Sequence, residues 1–342
     1  MSRVAQVVIG VDLGGTNVRA QAFTEAGEAV TPAFETKSNA QDGEEAVFDA
    51  TAQVIEQAAQ STADEVHFVG LAIPGHVDEA RGMIRWAPNF GETADGVYIN
   101  WSDVPVREPL QKRTGFEIHM GNDANLAALG EYMFGVGEGT AKAFILLTLG
   151  TGIGGGVVLG PASFAGGVSQ PVLLLGGNGG GVELGHILVM AGGLDCNSGA
   201  YGGLEAYGRR DAIIARALNY RRRHRPIQFP GVPAGDLPKD LEPKNIGEAA
   251  DAGDPVAKQV FEEVGHWLGL GMATLINVFA PDVLAVGGNI AGSWHHMRDS
   301  AERAARDSSV ATLYRDTRIV PARVKDSGMV GAATYVFRYV RG

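Results

Sequence analysis

The sequence predicts an α/β fold built on mixed sheets, and three observations predict it. Short apolar runs of strand length alternate with segments of helical period along the chain. Two of those runs, one in each half, form a strand, a glycine turn and a second strand. The composition is that of an ordinary globular chain: 342 residues, 45% hydrophobic and 20% charged, a length that suits about two domains.

Residues 6–11 and 17–23 read as strands around the first glycine turn, with a third strand expected near Ala29-Val30. Val47, Ala50, Val54 and Ala58 recur at helical spacing, so residues 43–60 are expected to form an amphipathic helix. Residues 66–73 make a buried strand ended by Pro74-Gly75, residues 116–120 another, and residues 123–134 a helix. Residues 144–149 and 157–159 frame the second glycine turn. Five prolines from Pro226 to Pro243 mark a loop. A long helix over 254–279, a strand over 283–286 and a last helix over 328–340 complete the order.

Charge and cysteine content narrow the function classes. A net charge of −11 argues against a broad nucleic-acid surface. The one basic run, Arg221-Arg222-Arg223-His224-Arg225, ends a helix expected to begin near Leu204, where cations favour the C-terminal dipole. The single cysteine, Cys196, excludes an intrachain disulfide and fits a reducing, cytoplasmic setting. No apolar segment reaches about 18 residues, so no membrane span is expected. With no charged and apolar leader pattern in the opening residues, a secretory signal is not expected, nor is a DNA-binding module before the first strand.

The motifs carry the chemistry. Asp12-Leu13-Gly14-Gly15-Thr16-Asn17 places paired glycines at a hairpin tip, where backbone N–H groups come close to an anion because no Cβ intervenes. Asp12 adds a group that holds a metal-bound water, and Thr16 a hydroxyl. An ordinary Gly-Gly hairpin reads the same way. A weak counterpart, Leu147-Thr148-Leu149-Gly150-Thr151-Gly152, lies in the second half. Its continuation satisfies G-x-G-x-x-G, but a strand follows instead of a helix, and the Walker pattern is absent. A conventional Rossmann or P-loop enzyme is therefore disfavoured. Gly121-Asn122-Asp123-Ala124-Asn125 sets a carboxylate between two asparagines where a strand opens into a helix, suited to accepting a hydroxyl proton or to capping the helix. Trp86-Ala87-Pro88-Asn89-Phe90 reads as a loop stiffened by Pro88, in which Asn89 is able to bind two adjacent hydroxyls or to form an Asx turn. Glu183-Leu184-Gly185-His186 and Gly202-Gly203-Leu204-Glu205 supply two carboxylates and an imidazole on loops, which suits a sugar ring or plain solvation and capping.

Together these segments resemble the ROK family of sugar kinases, repressors and related proteins, most closely its glucokinases. The resemblance runs from about Val8 to Gly331 and also takes in Ile73-Pro74-Gly75, Ala128, Gly130-Glu131, Gly287-Gly288 and Gly331-Ala332-Ala333. It implies an actin-like, hexokinase-type (ribonuclease H-like) fold of two α/β domains about a central cleft. The expected domains are residues 1–120 and 121–327, with a helix over about 328–342 packing back on the first. It implies Asp123 as the base that deprotonates a hexose 6-hydroxyl for attack on the γ-phosphate of ATP. Asn89, Asn122, Glu183, His186 and Glu205 would hold sugar hydroxyls. Gly14, Gly15, Thr16 and Asn17 with Gly150, Thr151 and Gly152 would cradle phosphates, with Mg²⁺ near Asp12 through water. Gly287, Gly288 and Asn289 would approach the adenosine, and domain closure would exclude water. A homodimer is the family expectation.

Two departures stand out. Many family members hold structural zinc through a His and a C-x-C-G-x-x-G-C-x-E segment. Here the matching positions are His186, Cys196, Ser198 and Gly203, which leaves two of four ligands. No tight zinc is expected there, and packing around Tyr201 and Leu204 is expected to brace the loop instead. The glycine- and leucine-rich stretch 161–181 is longer than the family pattern and reads as a lid, an oligomer contact or a surface loop. The leading function is an ATP- and Mg²⁺-dependent glucokinase. Kinases for N-acetylmannosamine, N-acetylglucosamine or fructose, and a polyphosphate donor, remain alternatives. A non-catalytic sugar-binding regulator is the alternative from another class; a structural protein of the actin type leaves the polar loops unexplained.

Overall fold

A computed structural model describes residues 7–94, 97–196 and 198–340. The chain forms two compact units. One comprises Met1–Ala141, Gly156–Val182 and Arg323–Gly342; the other comprises Lys142–Gly155 and Glu183–Ala322.

The first unit begins with β1 (Val7–Leu13), β2 (Asn17–Phe23) and β3 (Phe34–Lys37), followed by α1 (Glu44–Gln60) and β4 (Val66–Ile73). Next come β5 (His76–Asp78), β6 (Met83–Ala94), β7 (Val97–Pro105), α2 (Arg107–Thr114), β8 (Glu117–Asn122) and α3 (Asp123–Phe134). One sheet has the order β3-β2-β1-β4-β8, with β1 antiparallel to β2 and parallel to β4. Its first strand is buried at every position except Asp12, which is half-buried. The apolar face of α1, including Val47, Phe48, Val54 and Ile55, covers one side of this core.

The third strand is not at Ala29-Val30. Ala29 makes only an isolated bridge to Phe23, and β3 pairs with β2 from Phe34 onward. Gly27 takes a positive φ in the turn after β2, and the pairing that follows stops at this bridge and the bond from Val30 N–H to Ala22 O. A second departure is the three-stranded sheet β5-β6-β7, absent from the sequence reading. Residues 86–90 lie within β6 and not in a loop. A register shift between Ala87 and Gly91 lets this irregular stretch stay in the ladder with β7.

The second unit holds β9 (Ala143–Leu149) and the start of β10 (Ile153–Leu159); β10 and β11 (Val172–Leu173) continue in the first unit. It continues with α4 (Glu205–Gly208), α5 (Arg210–Arg222), α6 (Pro243–Asp251), α7 (Pro255–Phe279), β12 (Val283–Gly287), α8 (Trp294–Ser308), α9 (Ala311–Asp316) and β13 (Arg318–Pro321). The second sheet has the order β11-β10-β9-β12-β13, with β9, β12 and β13 parallel. Asp254 caps α7 by accepting from Val256 N and Ala257 N, and Pro255 opens it. Arg221 and Arg222 occupy the last turn of α5, where the dipole favours them.

The chain then returns to the first unit with α10 (Ser327–Tyr335), which passes into a π turn over Val336–Val340. Helix α10 lies against β1, β4 and α3 at backbone distance. A Cβ on Gly331 would sit 1.8 Å from the Leu126 carbonyl oxygen, and one on Gly10 would sit 2.0 Å from that of Met329. This contact is why α3 belongs to the first unit, beyond the boundary expected at residue 120. Stretch 161–181 also belongs there. Tyr339 Oη donates to Pro171 O at 2.8 Å and accepts from Leu173 N at 3.2 Å, so β11 is tied to the C-terminal segment.

Candidate active site

The first glycine turn connects two seven-residue strands. Gly14 N–H donates to Asn17 O at 2.9 Å, which closes the turn and leaves Gly15 and Thr16 exposed at its tip. Asn17 itself is turned toward β3: its Nδ2 donates to Glu35 and its Oδ1 accepts from Lys37 Nζ at 3.1 Å. Asp12 Oδ2 accepts from Arg19 at 2.7 Å, and Arg19 also pairs with Asp326. Burial pulls the Arg19 guanidinium down, but the two carboxylates outweigh it and hold its pKa above the ordinary value. The carboxylate–guanidinium–carboxylate set retains one net negative charge. That donor set suits a hydrated Mg²⁺ held through water beside phosphates. Arg19 and Asp326 carried no motif signal, because their meeting joins β2 to the start of α10, 307 residues apart.

Asn89 has φ +77°, a left-handed backbone that asparagine tolerates better than most residues. It stands beside the first turn: a Cβ on Gly15 would lie 3.8 Å from Asn89 Cβ. Asn122, and not Asp123, is the N-cap of α3; its Oδ1 accepts from Asn125 N at 3.1 Å. The same oxygen accepts from Asn125 Nδ2 at 2.8 Å, and Asn122 Nδ2 donates to Gly75 O at 3.1 Å. Asp123 follows as the first helical residue, half-buried, with Oδ1 accepting from Ala124 N at 2.7 Å. Beside Asn122 and Asn125 lies a small recess, whose wall includes Glu79, Gly179, Gly180 and Tyr335. Burial is the main cause that raises the Tyr335 phenol to about 12, so it is a neutral donor there.

In the second unit, Gly150 N–H donates to Gly152 O at 2.9 Å, and Thr151 is exposed at the tip. Glu205 braces this turn. Its Oε2 accepts from Ile153 N at 2.9 Å, and a Cβ on Gly152 would lie 2.4 Å from that oxygen. A side chain at 152 would displace this carboxylate from its bond to Ile153 N. Gly287 ends β12, and Gly288 follows with φ +86°, where a Cβ would meet the Leu149 backbone oxygen at 2.4 Å. Asn289 begins a short 3₁₀ turn to Ser293.

Glu183 and His186 flank another 3₁₀ turn in the same unit. His186 Nδ1 is buried and makes no hydrogen bond to the described residues. Cys196 Sγ lies 3.1 Å from Ser198 Oγ and donates to Ala200 O at 3.0 Å. Burial pushes the thiol up, and hydrogen bonds with Ser198 and His186 more than offset it, leaving its pKa below the ordinary value. The bracing differs from expectation at Tyr201, which is 63% exposed. Leu204 is fully buried, and Tyr207 Oη accepts from Leu194 N at 2.9 Å, so Tyr207 does what was expected of Tyr201. Ladder bonds add to this: Val189 N to Gly202 O at 2.9 Å and Leu204 N to Ile187 O at 3.0 Å. Asn197 lies outside the described residues.

The structure therefore gathers Asp12, the first glycine turn, Asn89, Asn122 and Asp123 in the first unit. Glu183, His186, Glu205, the second turn and residues 287–289 are in the second.

The family model for the ROK family matches residues 8–338. A glucokinase from Thermotoga maritima is 32% identical over 338 residues, covering 98% of each chain. A glucokinase from Streptomyces coelicolor is 32% identical over 331 residues, covering 96% of each. A crystal structure of a ROK family glucokinase from Streptomyces griseus, in complex with glucose and AMPPNP, is 31% identical with a TM-score of 0.75, covering 96% of this chain and 98% of that one. With paired sheets of the same strand order and a family match along nearly its whole length, the chain belongs to the ROK family and has its actin-like, hexokinase-type fold.

Proposed function

We propose that this chain is a sugar kinase that transfers the γ-phosphoryl group of ATP to the 6-hydroxyl of a hexose, with glucose as the preferred acceptor. The observation that carries this reading is Asp123: a half-buried carboxylate at the strand-to-helix junction, oriented by the Ala124 N–H, in a chain similar to glucokinases along almost its entire length. Asp123 accepts the hydroxyl proton as the oxygen attacks. Asn89 and Glu183 bind sugar hydroxyls. Asn122 contributes its remaining N–H, because its other polar positions are taken within α3 and by Gly75. His186 contributes the unpartnered Nδ1. Glu205 serves both the sugar and the second turn.

The N–H groups of Gly14 and Gly150 close their turns, and the backbone N–H groups at the exposed tips, Gly15, Thr16 and Thr151, are offered to phosphates. Residues 287–289 border the adenosine. When bound, MgATP supplies the electrophilic phosphorus and the charge neutralisation at its oxygens. Asp12 would hold the Mg²⁺ through water, with Arg19 limiting the net charge of the carboxylate.

The test is ADP release by purified protein with MgATP across glucose, mannose, fructose, N-acetylglucosamine and N-acetylmannosamine. Glucose-dependent release exceeding that of every other sugar supports the proposal in full. Release with a different hexose would replace the acceptor. Silence with every sugar, with glucose still binding by calorimetry, would overturn ATP-dependent catalysis, and polyphosphate would be tried as donor.

A further inference from the structure

Asp251 ends α6, and His295 and His296 lie in the first turn of α8, all in the second unit. Both imidazole Nε2 atoms lie 2.8 Å from the same oxygen, Asp251 Oδ1. One ligand atom from each residue falls within 4.8 Å of the other two. A tetrahedral ion with bonds of about 2.0–2.1 Å spaces its donors about 3.3–3.4 Å apart, so the two hydrogen-bonded N···O pairs open by about half an ångström to admit it.

The trio is organised from three sides. His296 is only 12% exposed and stacks on Phe261 of α7, with ring centroids 6.0 Å apart and 22° between planes. The His295 ring lies 4.0 Å from that of His296. Helix α6, which carries Asp251, starts from a capping box made by Glu242 and Asn245. Asp251 and His295 are each 58% exposed, so an ion has an entry path and water has room to complete its coordination. Without an ion, an Nε2–H on each ring donates to the shared oxygen. An ion takes both Nε2 lone pairs once each ring carries its proton on Nδ1, and it also takes the carboxylate oxygen.

From this geometry we infer that Asp251, His295 and His296 form a binding site for a divalent transition-metal ion. Two imidazoles and one carboxylate select borderline ions such as Zn²⁺, Ni²⁺ or Co²⁺, and not Mg²⁺ or Ca²⁺, which take oxygen donors. The site shares no residue with His186 or Cys196, and it does not depend on the proposed kinase activity. An ion there cross-links the end of α6 to the start of α8.

The experiment uses the full-length, tag-free protein after chelator treatment, titrated by calorimetry with Zn²⁺ and separately with Ni²⁺. The expected result is one saturable site for each ion, weakened at least about tenfold by His295→Ala/His296→Ala and by Asp251→Asn, as loss of ligands requires. Cys196→Ser retains the binding. Co²⁺ loading gives visible d–d absorption that the Asp251 variant alters. Asp251 is solvent-exposed, so that variant keeps the test decisive if the double variant folds poorly. No saturable binding by the parent protein, or affinities unchanged in both the Asp251 and His295/His296 variants, would overturn the assignment. So would loss of binding in Cys196→Ser alone.

Discussion

Asp123 stands one residue past the helix cap, and this offset separates two jobs that a single carboxylate performs poorly together. Asn122 closes the first turn of α3, while Asp123 stands at the helix end with one oxygen fixed by Ala124 N–H. Removing that charge while preserving shape isolates the proton transfer. Asp123→Asn is expected to lower kcat by at least about a hundredfold while glucose affinity, read by calorimetry, stays within a few-fold. Near-normal turnover in the folded variant would end the assignment. Glu205 makes a different case. Its carboxylate grips the Ile153 N–H and touches the space above Gly152, so Glu205→Gln loosens the second turn. The expected outcome is a KM for MgATP raised about threefold or more, since a charge-assisted bond is weakened. A rise confined to the sugar KM would assign Glu205 to the sugar alone. The sequence offered both residues as carboxylates on loops or caps. It could not show which oxygen meets which N–H, because Ile153 and Glu205 are 52 positions apart.

At the scale of elements, a buried carboxylate ties down the C-terminal return to the first unit, beside the packing of α10. Glu131 on α3 is fully buried and accepts from Val136 N at 3.0 Å, Arg323 N at 2.8 Å and Val324 N at 2.7 Å. It pins the chain where it leaves β13 and approaches α10. Glu131→Gln replaces an acceptor oxygen by a donor facing backbone N–H groups. The expected loss is about 2 kcal/mol or more, read as a lower melting temperature with far-UV circular dichroism unchanged at 20 °C. An unchanged melting temperature would show that the three contacts contribute little. Element types were legible where periodicity was strong, as in α1, α7 and β4. They were not legible in β6, where Ala87-Pro88-Asn89 reads as a loop yet runs within a strand. Its pairing with β7 spans a bulge that no local propensity encodes.

At the scale of the whole molecule, two sheets repeat one plan. Strands β1 and β9 are each seven residues long, share a burial pattern with a single half-buried position, and lead through three-residue glycine turns into seven-residue partners. Stability as a function of pH belongs to this scale. His119 on β8 is flanked by Glu79 and Glu117, and the hydrogen bond to Glu79 is the main cause that raises its pKa above the ordinary 6.5. The folded state therefore holds this proton more tightly than the unfolded chain. The stabilisation is complete below about pH 6.5 and is lost as pH rises through the folded value. The melting temperature of the parent protein should fall between pH 6.5 and 8.5 more steeply than that of His119→Gln; parallel curves would show that the pair contributes nothing. The sequence by itself determined the family, the α/β alternation, both glycine turns and the carboxylate at the head of α3. Each of these is written in contiguous residues whose spacing is set by strand and helix geometry. Only the tertiary structure decided that Arg19 bridges Asp12 and Asp326, that Glu205 fills the space beside Gly152, and that α10 rests on β1 where glycine leaves room. Such pairings join residues distant in the chain, and their partners are chosen by packing rather than by local pattern.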